Sequence, residues 1–245
     1  MRVAFLGATK GMGRALARLM AERGDALCLL GRNRVDLERS GADLGARAGG
    51  SAMPCVECDL EQPGGFVPAL DAAREALGGL DTVVVTAGIF AIQDELEANA
   101  DLAEQLLRVD FTNTVVFCEA AKKALLAEGG GTLCVFSSVA GERGRKPVII
   151  YGAAKAGLSR YLEGLDHKHH ADGLRVVNVK PGFVKTSMTA GLDPPPFAGE
   201  PEGVAKQALR AIDRGSPIVY APPAWRLIMA IIRALPRTVM RRVGF

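Results

Sequence analysis

Near its N-terminus the chain reads Arg2-Val3-Ala4-Phe5-Leu6-Gly7-Ala8-Thr9-Lys10-Gly11-Met12-Gly13, an apolar run that leads directly into three closely spaced glycines. An alanine- and leucine-rich stretch, residues 14–23, follows. This order predicts a strand, a tight turn and a helix. Glycines permit the turn and let backbone N–H groups approach a pyrophosphate at the positive end of the helix. The stretch favours a dinucleotide-binding unit, although a glycine-rich turn in another α/β protein has the same pattern.

Strand-like and helix-like segments alternate along the rest of the chain. We predict strands at residues 3–6, 26–30, 51–58, 82–86, 132–137, 175–179 and 218–220, and helices at residues 12–23, 35–47, 65–77, 102–128 and 153–171. Such alternation is typical of βαβ units. The sequence therefore predicts one doubly wound α/β domain of the Rossmann type over residues 1–221, with a roughly seven-stranded parallel sheet and helices on both faces. Ligands of such sheets bind at the carboxyl ends of the strands.

A second pattern, Ser138, Tyr151 and Lys155, carries acid–base chemistry. Tyr151 and Lys155 lie four residues apart, so on a helix the phenol and the ammonium share one face. A nearby cation favours the phenolate, and we therefore expect the pKa of Tyr151 to fall below its usual value of about 10. Such a pair can exchange protons with an alcohol or a carbonyl near neutral pH.

Together these patterns resemble the short-chain dehydrogenase/reductase family over nearly the whole chain. The family's ordered motifs are matched by Asp59-Leu60, by Thr86-Ala87-Gly88 where the family has Asn-Asn-Ala-Gly, by residues 137–141, and by Pro181-Gly182 with Thr186. The resemblance implies a cofactor site formed by Gly7, Thr9, Lys10, Gly11, Met12, Gly13, Arg32, Asn33, Asp59, Leu60, Ala87, Gly88, Tyr151, Lys155, Pro181, Gly182, Val184 and Thr186.

The resemblance also implies the roles of the catalytic residues. Tyr151 is the acid/base, Lys155 lowers its pKa and binds the nicotinamide ribose, and Ser138 donates a hydrogen bond to the substrate oxygen. Ser137 is expected to point the other way, because successive side chains alternate at a strand end. Asp110 stands where the family has an asparagine that supports a proton relay. Its backbone carbonyl can preserve that relay, and its carboxylate can also pair with Lys155.

The end of the second strand indicates the choice of cofactor. An acidic residue there would bind the ribose hydroxyls of NAD, but the chain has Arg32-Asn33 instead. Arg32 can offer a charge-assisted fork to a 2′-phosphate, and Lys10 adds a second cation. Both residues match the family's NADP-preferring pattern, so we predict that the cofactor is NADP(H).

The segment 187–201 contains a triple proline, Pro194 to Pro196, and is expected to form a loop that serves as a substrate lid. Its apolar residues Met188, Leu192 and Phe197 indicate a hydrophobic substrate. The leading hypothesis is an NADP(H)-dependent oxidoreductase that interconverts a ketone and a secondary alcohol on a hydrophobic or lipid-linked substrate. The alternatives are an NADP(H)-binding sensor with little turnover and a membrane-associated scaffold.

Residues 222–245 form a basic amphipathic C-terminal extension in which apolar residues alternate with arginines. The apolar run is too short and too interrupted to span a bilayer. It can lie on an anionic membrane surface, or pack on its own domain or on a second subunit. The family usually pairs the helices that correspond to residues 102–128 and 153–171, so a homodimer or homotetramer is expected.

Net charge and cysteine content bear on three further questions: nucleic-acid binding, cellular location and metal binding. A net charge of +3 gives no argument for nucleic acid as a partner. Five scattered cysteines fit a reducing cytoplasm, and we expect a cytoplasmic protein, with peripheral membrane association left open. Cys55 and Cys58 lie on a predicted strand with no second pair nearby in sequence, so no metal site is expected.

Overall fold

The computed structural model describes residues 1–195 and 197–244. A parallel sheet of seven strands runs through these residues in the order β3-β2-β1-β4-β5-β6-β7. The strands are β1 (Arg2–Leu6), β2 (Ala26–Gly31), β3 (Cys55–Glu57), β4 (Thr82–Val85), β5 (Gly131–Phe136), β6 (Leu174–Pro181) and β7 (Ile218–Ala221). The predicted fold class, a single Rossmann-like α/β domain, is confirmed.

Helices cover both faces of the sheet. They are α1 (Gly11–Glu22), α2 (Arg34–Arg47), α3 (Phe66–Leu77), α4 (Gln93–Ala98), α5 (Ala100–Leu107), α6 (Thr114–Ala127), α7 (Ile149–His169), α8 (Pro201–Arg214), α9 (Ala224–Ala234) and α10 (Arg237–Met240). One hydrophobic core lies on each face of the sheet, and strand β1 contributes to both. Val3 and Phe5 pack with α1, α2 and α8, whereas Ala4 and Leu6 pack with α3, α6 and α7. Alternating side chains of one strand thus bury apolar surface on both sides.

The strand order brings two loops together at the carboxyl edge of the sheet. Strand β1 lies between β2 and β4, with Leu6 opposite both Leu30 and Val85. The chain leaves β1 toward β2 but pairs on its other side with β4, so the topological switch point lies between β1 and β4. Ligands of open α/β sheets bind in the crevice at this point. The glycine turn after β1 and the Thr86-Ala87-Gly88 stretch after β4 meet there.

The predicted strand at residues 51–58 is wrong in length, because only Cys55–Glu57 is a strand. Pro54 has no N–H to donate to a ladder, so regular pairing begins after it. The residues before it pack against α2 instead: the Met53 N–H donates to the Gly41 carbonyl at 3.0 Å.

The predicted helix at residues 102–128 is helical up to Ala127, but it is not one regular α-helix. A π-helical segment, Arg108–Asn113, separates α5 from α6. Two side chains stabilise this wider turn: the Thr114 hydroxyl donates to the Val109 carbonyl at 2.7 Å, and the Asn113 amide donates to the Leu60 carbonyl at 2.6 Å. Wider π turns of this kind are frequent at functional sites. Asp110 lies within it.

Helix α8 was not among the predicted helices. Its buried residues, Val204, Ala205, Ala208, Ala211 and Ile212, belong to the core that also contains the buried face of α1. The described residues of the segment 187–200 contain one short 3₁₀ turn, Ser187–Thr189, and an isolated bridge at Gly199, and are otherwise irregular. Pro196 of the predicted lid and Phe245 of the predicted extension lie outside the described residues.

The C-terminal helix α9 packs one face on the domain. Trp225, Met229 and Ile232 are buried there together with Val139, and Phe183 packs against them. Within the described ranges, none of the helices is both long and apolar enough to cross a bilayer.

Candidate active site

The glycine turn has a geometry that side chains would not tolerate. Gly7 has φ +99°, in the left-handed region, and a Cβ on it would lie 2.5 Å from the Ala87 nitrogen. A Cβ on Gly13 would lie 2.1 Å from the Gly7 carbonyl oxygen. The Thr86 hydroxyl holds this turn against β4 by donating to the Gly7 carbonyl at 2.9 Å. The missing Cβ atoms therefore let the turn approach both β4 and the start of α1.

The start of α1 suits an anionic group. Lys10 is its N-cap residue and makes no side-chain capping bond, and the first turn contains no acidic residue. Uncapped N–H groups at a helix N-terminus bind phosphate. The residues present thus fit a dinucleotide pyrophosphate.

A cavity of about 440 Å³ opens at the switch point. Nine of the predicted cofactor residues line it: Gly7, Thr9, Lys10, Arg32, Asn33, Asp59, Leu60, Ala87 and Gly88. The other predicted residues, Gly11, Met12, Gly13, Tyr151, Lys155, Pro181, Gly182, Val184 and Thr186, are not in its lining. Sequence reasoning missed several lining residues, including Asp36, Glu61, Ile89, Phe90 and Val109. Ile89 and Phe90 directly follow the Thr86-Ala87-Gly88 stretch, and this position could have indicated them.

Among the described residues, two cationic side chains line this cavity, and one of them is already paired with an acidic residue. The Lys10 ammonium pairs with Asp36 at 3.4 Å, and both side chains reach solvent. Arg32 is exposed and has no ion-pair partner in the described parts of the chain. The Asn33 side chain caps α2 by accepting the Asp36 N–H at 2.9 Å. Arg32 is therefore the cation of this pocket that an acidic side chain does not already neutralise.

Ser138, Tyr151 and Lys155 lie beyond the carboxyl ends of β4 and β5. The Lys155 ammonium is 5.5 Å from the centroid of the Tyr151 ring. The Ser138 hydroxyl accepts the Ala140 N–H at 3.0 Å and donates to the Pro181 carbonyl at 3.5 Å. Ser137 is directed elsewhere, because its hydroxyl donates to Asn178 on β6 at 2.5 Å.

This group adjoins the cavity through Phe90, which is one of the lining residues. The rings of Phe90 and Tyr151 meet edge to face, with centroids 5.2 Å apart. A molecule in the cavity that reaches past Phe90 therefore meets the Tyr151 ring.

The expected decrease in the pKa of Tyr151 is wrong for this structure. Burial of the ring is the largest influence, and it raises the pKa of Tyr151 above 10. The Lys155 charge lowers this pKa and the Asp110 carboxylate raises it, while a hydrogen bond with Ser138 lowers it. Lys155 and Ser138 both stabilise the phenolate, but their effect on the pKa is smaller than that of burial. The reason is that the phenolate would be a charge in a poorly solvated site.

Asp110 forms a buried ion pair with Lys155. The Asp110 Oδ2 and Lys155 Nζ atoms are 3.0 Å apart, and the two side chains are only 1 % and 6 % exposed. The other carboxylate oxygen, Oδ1, accepts the Ile89 N–H at 2.7 Å. Gly88 provides the room, because a Cβ there would lie 2.9 Å from Oδ1.

Burial lowers the pKa of Lys155, but the negative charge of Asp110 and the proximity of Tyr151 outweigh burial and raise this pKa above 10.5. Lys155 is thus held as a cation. The carboxylate that replaces the family's asparagine is placed to influence both members of the Tyr151–Lys155 pair.

The segment after β6 closes the other side of the site. Thr186 lies against Gly11, since a Cβ on Gly11 would be 3.3 Å from the Thr186 methyl group. Val184 forms an isolated parallel bridge with Gly199, which holds the chain just before the lid segment against the end of that segment. Gly182 lies under the Trp225 indole: a Cβ on Gly182 would be 2.0 Å from Trp225 Nε1. The C-terminal helix therefore supports the Pro181-Gly182 segment, a role that the sequence did not indicate.

We expect Gly13→Ala to destabilise the protein by about 3 kcal/mol, because the new methyl group must displace backbone atoms rather than a flexible side chain. Dinucleotide affinity should fall about tenfold or more as the turn's N–H groups lose their alignment. Chemical denaturation and cofactor titration measure the two effects. Gly203→Ala is the matched control: a Cβ there meets nothing within 4 Å, so its stability should stay within about 1 kcal/mol of the parent. Equal behaviour of both variants would contradict the close packing of the turn.

Comparison with known proteins agrees with this architecture. The profile of the short chain dehydrogenase family matches residues 2–195. The chain is 35 % identical over 241 residues to an uncharacterized oxidoreductase of Mycobacterium tuberculosis, Rv2073c, covering 98 % of this chain and 96 % of that protein. It is 28 % identical to carbonyl reductase family member 4 of Xenopus laevis, covering 84 % and 88 % of the two chains.

Among solved structures, a short-chain type dehydrogenase/reductase from Mycobacterium ulcerans superposes with a TM-score of 0.81. The identity is 22 %, and the match covers 89 % of this chain and 86 % of that one, which supports the fold. The chain belongs to the short-chain dehydrogenase/reductase family. It is therefore an oxidoreductase of a family that uses NAD(P)(H).

Proposed function

We propose that the protein is an NADP(H)-dependent oxidoreductase that interconverts a ketone and a secondary alcohol on a hydrophobic or lipid-linked substrate. The observation that carries the proposal is the grouping of Ser138, Tyr151 and Lys155 beside a cavity that fits a dinucleotide. Family membership supports the oxidoreductase class, and the residues around the cavity support the finer assignment.

The cofactor, when bound, supplies or accepts a hydride. Gly7, Gly11 and Gly13 shape the turn that would hold its pyrophosphate, while Ala87 and Gly88 border the cavity. Tyr151 gives a proton to the developing alkoxide, and Lys155 stabilises the phenolate that remains. Ser138 donates a hydrogen bond to the same oxygen, where charge develops in the transition state. Its bond to the Pro181 carbonyl is long at 3.5 Å, so the hydroxyl can turn to a substrate at little cost.

The protonation state of Tyr151 favours one direction at neutral pH. Because burial raises its pKa, the phenol is protonated there and is ready to act as an acid. Reduction of the carbonyl needs this acid, whereas alcohol oxidation needs the phenolate. We therefore expect oxidation to gain rate with rising pH, and reduction to lose rate as pH rises through the pKa of Tyr151.

Arg32 supports the choice of NADP(H), because it is an exposed cation at the end of β2 with no acidic partner among the described residues. We predict that Arg32→Asp weakens NADPH binding about 10- to 100-fold, since a charge-assisted hydrogen bond is lost and a like charge is added. NADH binding should be unchanged or stronger. Fluorescence titration with both cofactors measures the shift.

Asp36→Asn is the companion variant in the same pocket, because it frees Lys10 from its ion pair at 3.4 Å. NADPH binding should then improve by a few fold at most, as expected for an exposed pair.

Equal losses of affinity for NADPH and NADH in Arg32→Asp would show that Arg32 does not bind the 2′-phosphate.

Apolar side chains at the mouth of the site support a hydrophobic substrate. Met188 lines the cavity, and both Met188 and Phe197 are exposed on the lid segment. Exposed large apolar residues next to a cleft are typical of binding sites for apolar ligands. The name of the Xenopus relative, a carbonyl reductase, agrees with carbonyl chemistry at this site.

The direct test is oxidation of NADPH in the presence of ketones of increasing apolar size. We expect turnover with NADPH that exceeds turnover with NADH, and a KM that falls as the apolar part of the ketone grows. Turnover that prefers small polar ketones would contradict the substrate class, and a preference for NADH would contradict the cofactor.

One observation favours a second function, a sensor that binds NADP(H) with little turnover. The buried Asp110–Lys155 pair engages the lysine that the catalytic tyrosine depends on. A sensor would bind NADPH tightly, show no turnover on the same ketones, and keep its stability and affinity in a Tyr151→Phe variant. Turnover that disappears in that variant would reject the sensor.

A further inference from the structure

Helix α9 has a second apolar stripe that the described residues of the domain leave exposed. Trp225, Met229 and Ile232 face the core. Leu227 and Ile231, one turn apart, are 69 % and 57 % exposed. Residues four apart lie on the same face of a helix, so these two side chains form one continuous patch. Exposed large aliphatic residues that adjoin one another mark an interaction surface.

Arginines flank this patch. A groove of about 580 Å³ runs between α8, β7 and α9, and four arginines line it: Arg210, Arg214, Arg226 and Arg233. No acidic residue is among its described lining residues. Only Arg233 of the four has an ion pair in the described chain, with Glu142 at 2.9 Å.

The positive charge continues beyond the groove. Arg237, Arg241 and Arg242 are exposed around α10, and residues 222–245 contain no Asp or Glu. The C-terminal segment therefore carries a field of one sign beside an uncovered apolar stripe.

We propose that the outer face of α9, with the arginines around it, docks on the surface of an anionic lipid bilayer. In this orientation Leu227 and Ile231 enter the interfacial region and the arginines face lipid phosphates. An amphipathic helix with leucine and isoleucine on one side and arginine beside them binds lipid surfaces in this manner. Each arginine near an anionic leaflet adds attraction, and its guanidinium forms charge-assisted hydrogen bonds with phosphate.

Two other occupants fit less well. A second copy packed through the same face in a twofold contact would bring one arginine-lined groove against another, with no acidic residue among the described lining residues to compensate. An acidic peptide could lie in the groove, which Arg226, Ala230 and Arg233 border on the α9 side. Leu227 and Ile231 are outside that lining, so a peptide in the groove would leave them exposed. A lipid surface contacts the charged and the apolar stripes at once.

The test is co-sedimentation of the full chain with vesicles of phosphatidylcholine alone and of phosphatidylcholine mixed with phosphatidylglycerol. We expect binding to the mixed vesicles, weak binding to the neutral ones, and weaker binding at high salt, because salt screens exposed charges. Arg226→Gln with Arg237→Gln should lower the affinity about fivefold for each arginine removed. Leu227→Ser with Ile231→Ser should lower it by a similar factor or more.

Matched controls are Val67→Ser, at an apolar residue of α3 that is 58 % exposed, and Arg39→Gln on the exposed side of α2. Both should bind vesicles like the parent. Thermal unfolding verifies that every variant is folded, and turnover of a water-soluble ketone, where present, should be the same in all of them. That readout separates a failure of docking from a failure of the proposed function.

Any of three results would overturn the proposal. The protein does not bind vesicles, it binds neutral and anionic vesicles equally, or the control variants lose as much vesicle affinity as the α9 variants. Light scattering supplies another: a dimer that dissociates in the Leu227→Ser, Ile231→Ser variant would assign this face to a second copy. Binding of an acidic peptide that survives this variant, without vesicle binding, would assign the groove to a protein partner.

Discussion

Replacing Tyr151 with phenylalanine is expected to lower kcat by about 10²- to 10⁴-fold while leaving NADPH affinity nearly unchanged. General acid catalysis by a positioned side chain contributes a factor of this size. The phenyl ring keeps the edge-to-face contact with Phe90, whose centroid is 5.2 Å away, so the site should keep its shape. Single-turnover kinetics with the best ketone and a fluorescence titration with NADPH measure the two quantities.

The matched control is Tyr161→Phe on the same helix. Tyr161 lies ten residues further along α7, where its hydroxyl donates to Glu119 at 2.8 Å, and it is not among the residues that line the cavity. Its loss should cost about 1 kcal/mol of stability and leave kcat unchanged. If both variants lose activity equally, or if Tyr151→Phe retains the parent rate, Tyr151 is not the acid.

Sequence alone could predict those parts of the site that depend on local backbone rules. The glycines at 7, 11 and 13 predicted a turn, and the structure shows that Cβ atoms at Gly7 and Gly13 would collide with backbone atoms. The alternation of strand-like and helix-like segments predicted the parallel sheet and the edge where the motifs meet. These features follow from sterics and periodicity within short segments, which sequence shows directly.

Features that depend on packing between distant segments were not predictable. The π turn that presents Asp110 is stabilised by a bond from Asn113 to Leu60, more than fifty residues earlier. The contact of Trp225 with Gly182 depends on how the C-terminal helix returns to the sheet. The pKa of Tyr151 moved against the expectation for the same reason: the sequence shows the nearby lysine, but not how far the surroundings bury the ring.

Asp110 is where these tertiary effects have the largest expected consequence for stability. Asp110→Asn keeps an oxygen that can accept the Ile89 N–H, but it leaves the Lys155 ammonium buried without a counter-charge. Removing one partner of a buried ion pair costs about 3–5 kcal/mol, and we expect a loss near the lower end because that hydrogen bond survives. Urea denaturation measures the loss. Asp213→Asn breaks an exposed pair with Arg23 at 2.8 Å and should cost less than about 1 kcal/mol.

The pH dependence of this variant has a defined sign. The folded protein raises the pKa of Lys155 above its unfolded value of 10.5, so the pair's stabilisation is complete below pH 10.5 and is lost as pH rises through the folded pKa. The stability gap between parent and Asp110→Asn should therefore be constant near neutral pH and should narrow in strong alkali. Asp110 also raises the pKa of Tyr151, so its removal should lower that pKa. Alcohol oxidation would then begin at lower pH than in the parent, whereas reduction would lose rate at lower pH. A variant with the parent's stability and an unshifted pH–rate profile would show that the carboxylate at position 110 does not influence the Tyr151–Lys155 pair.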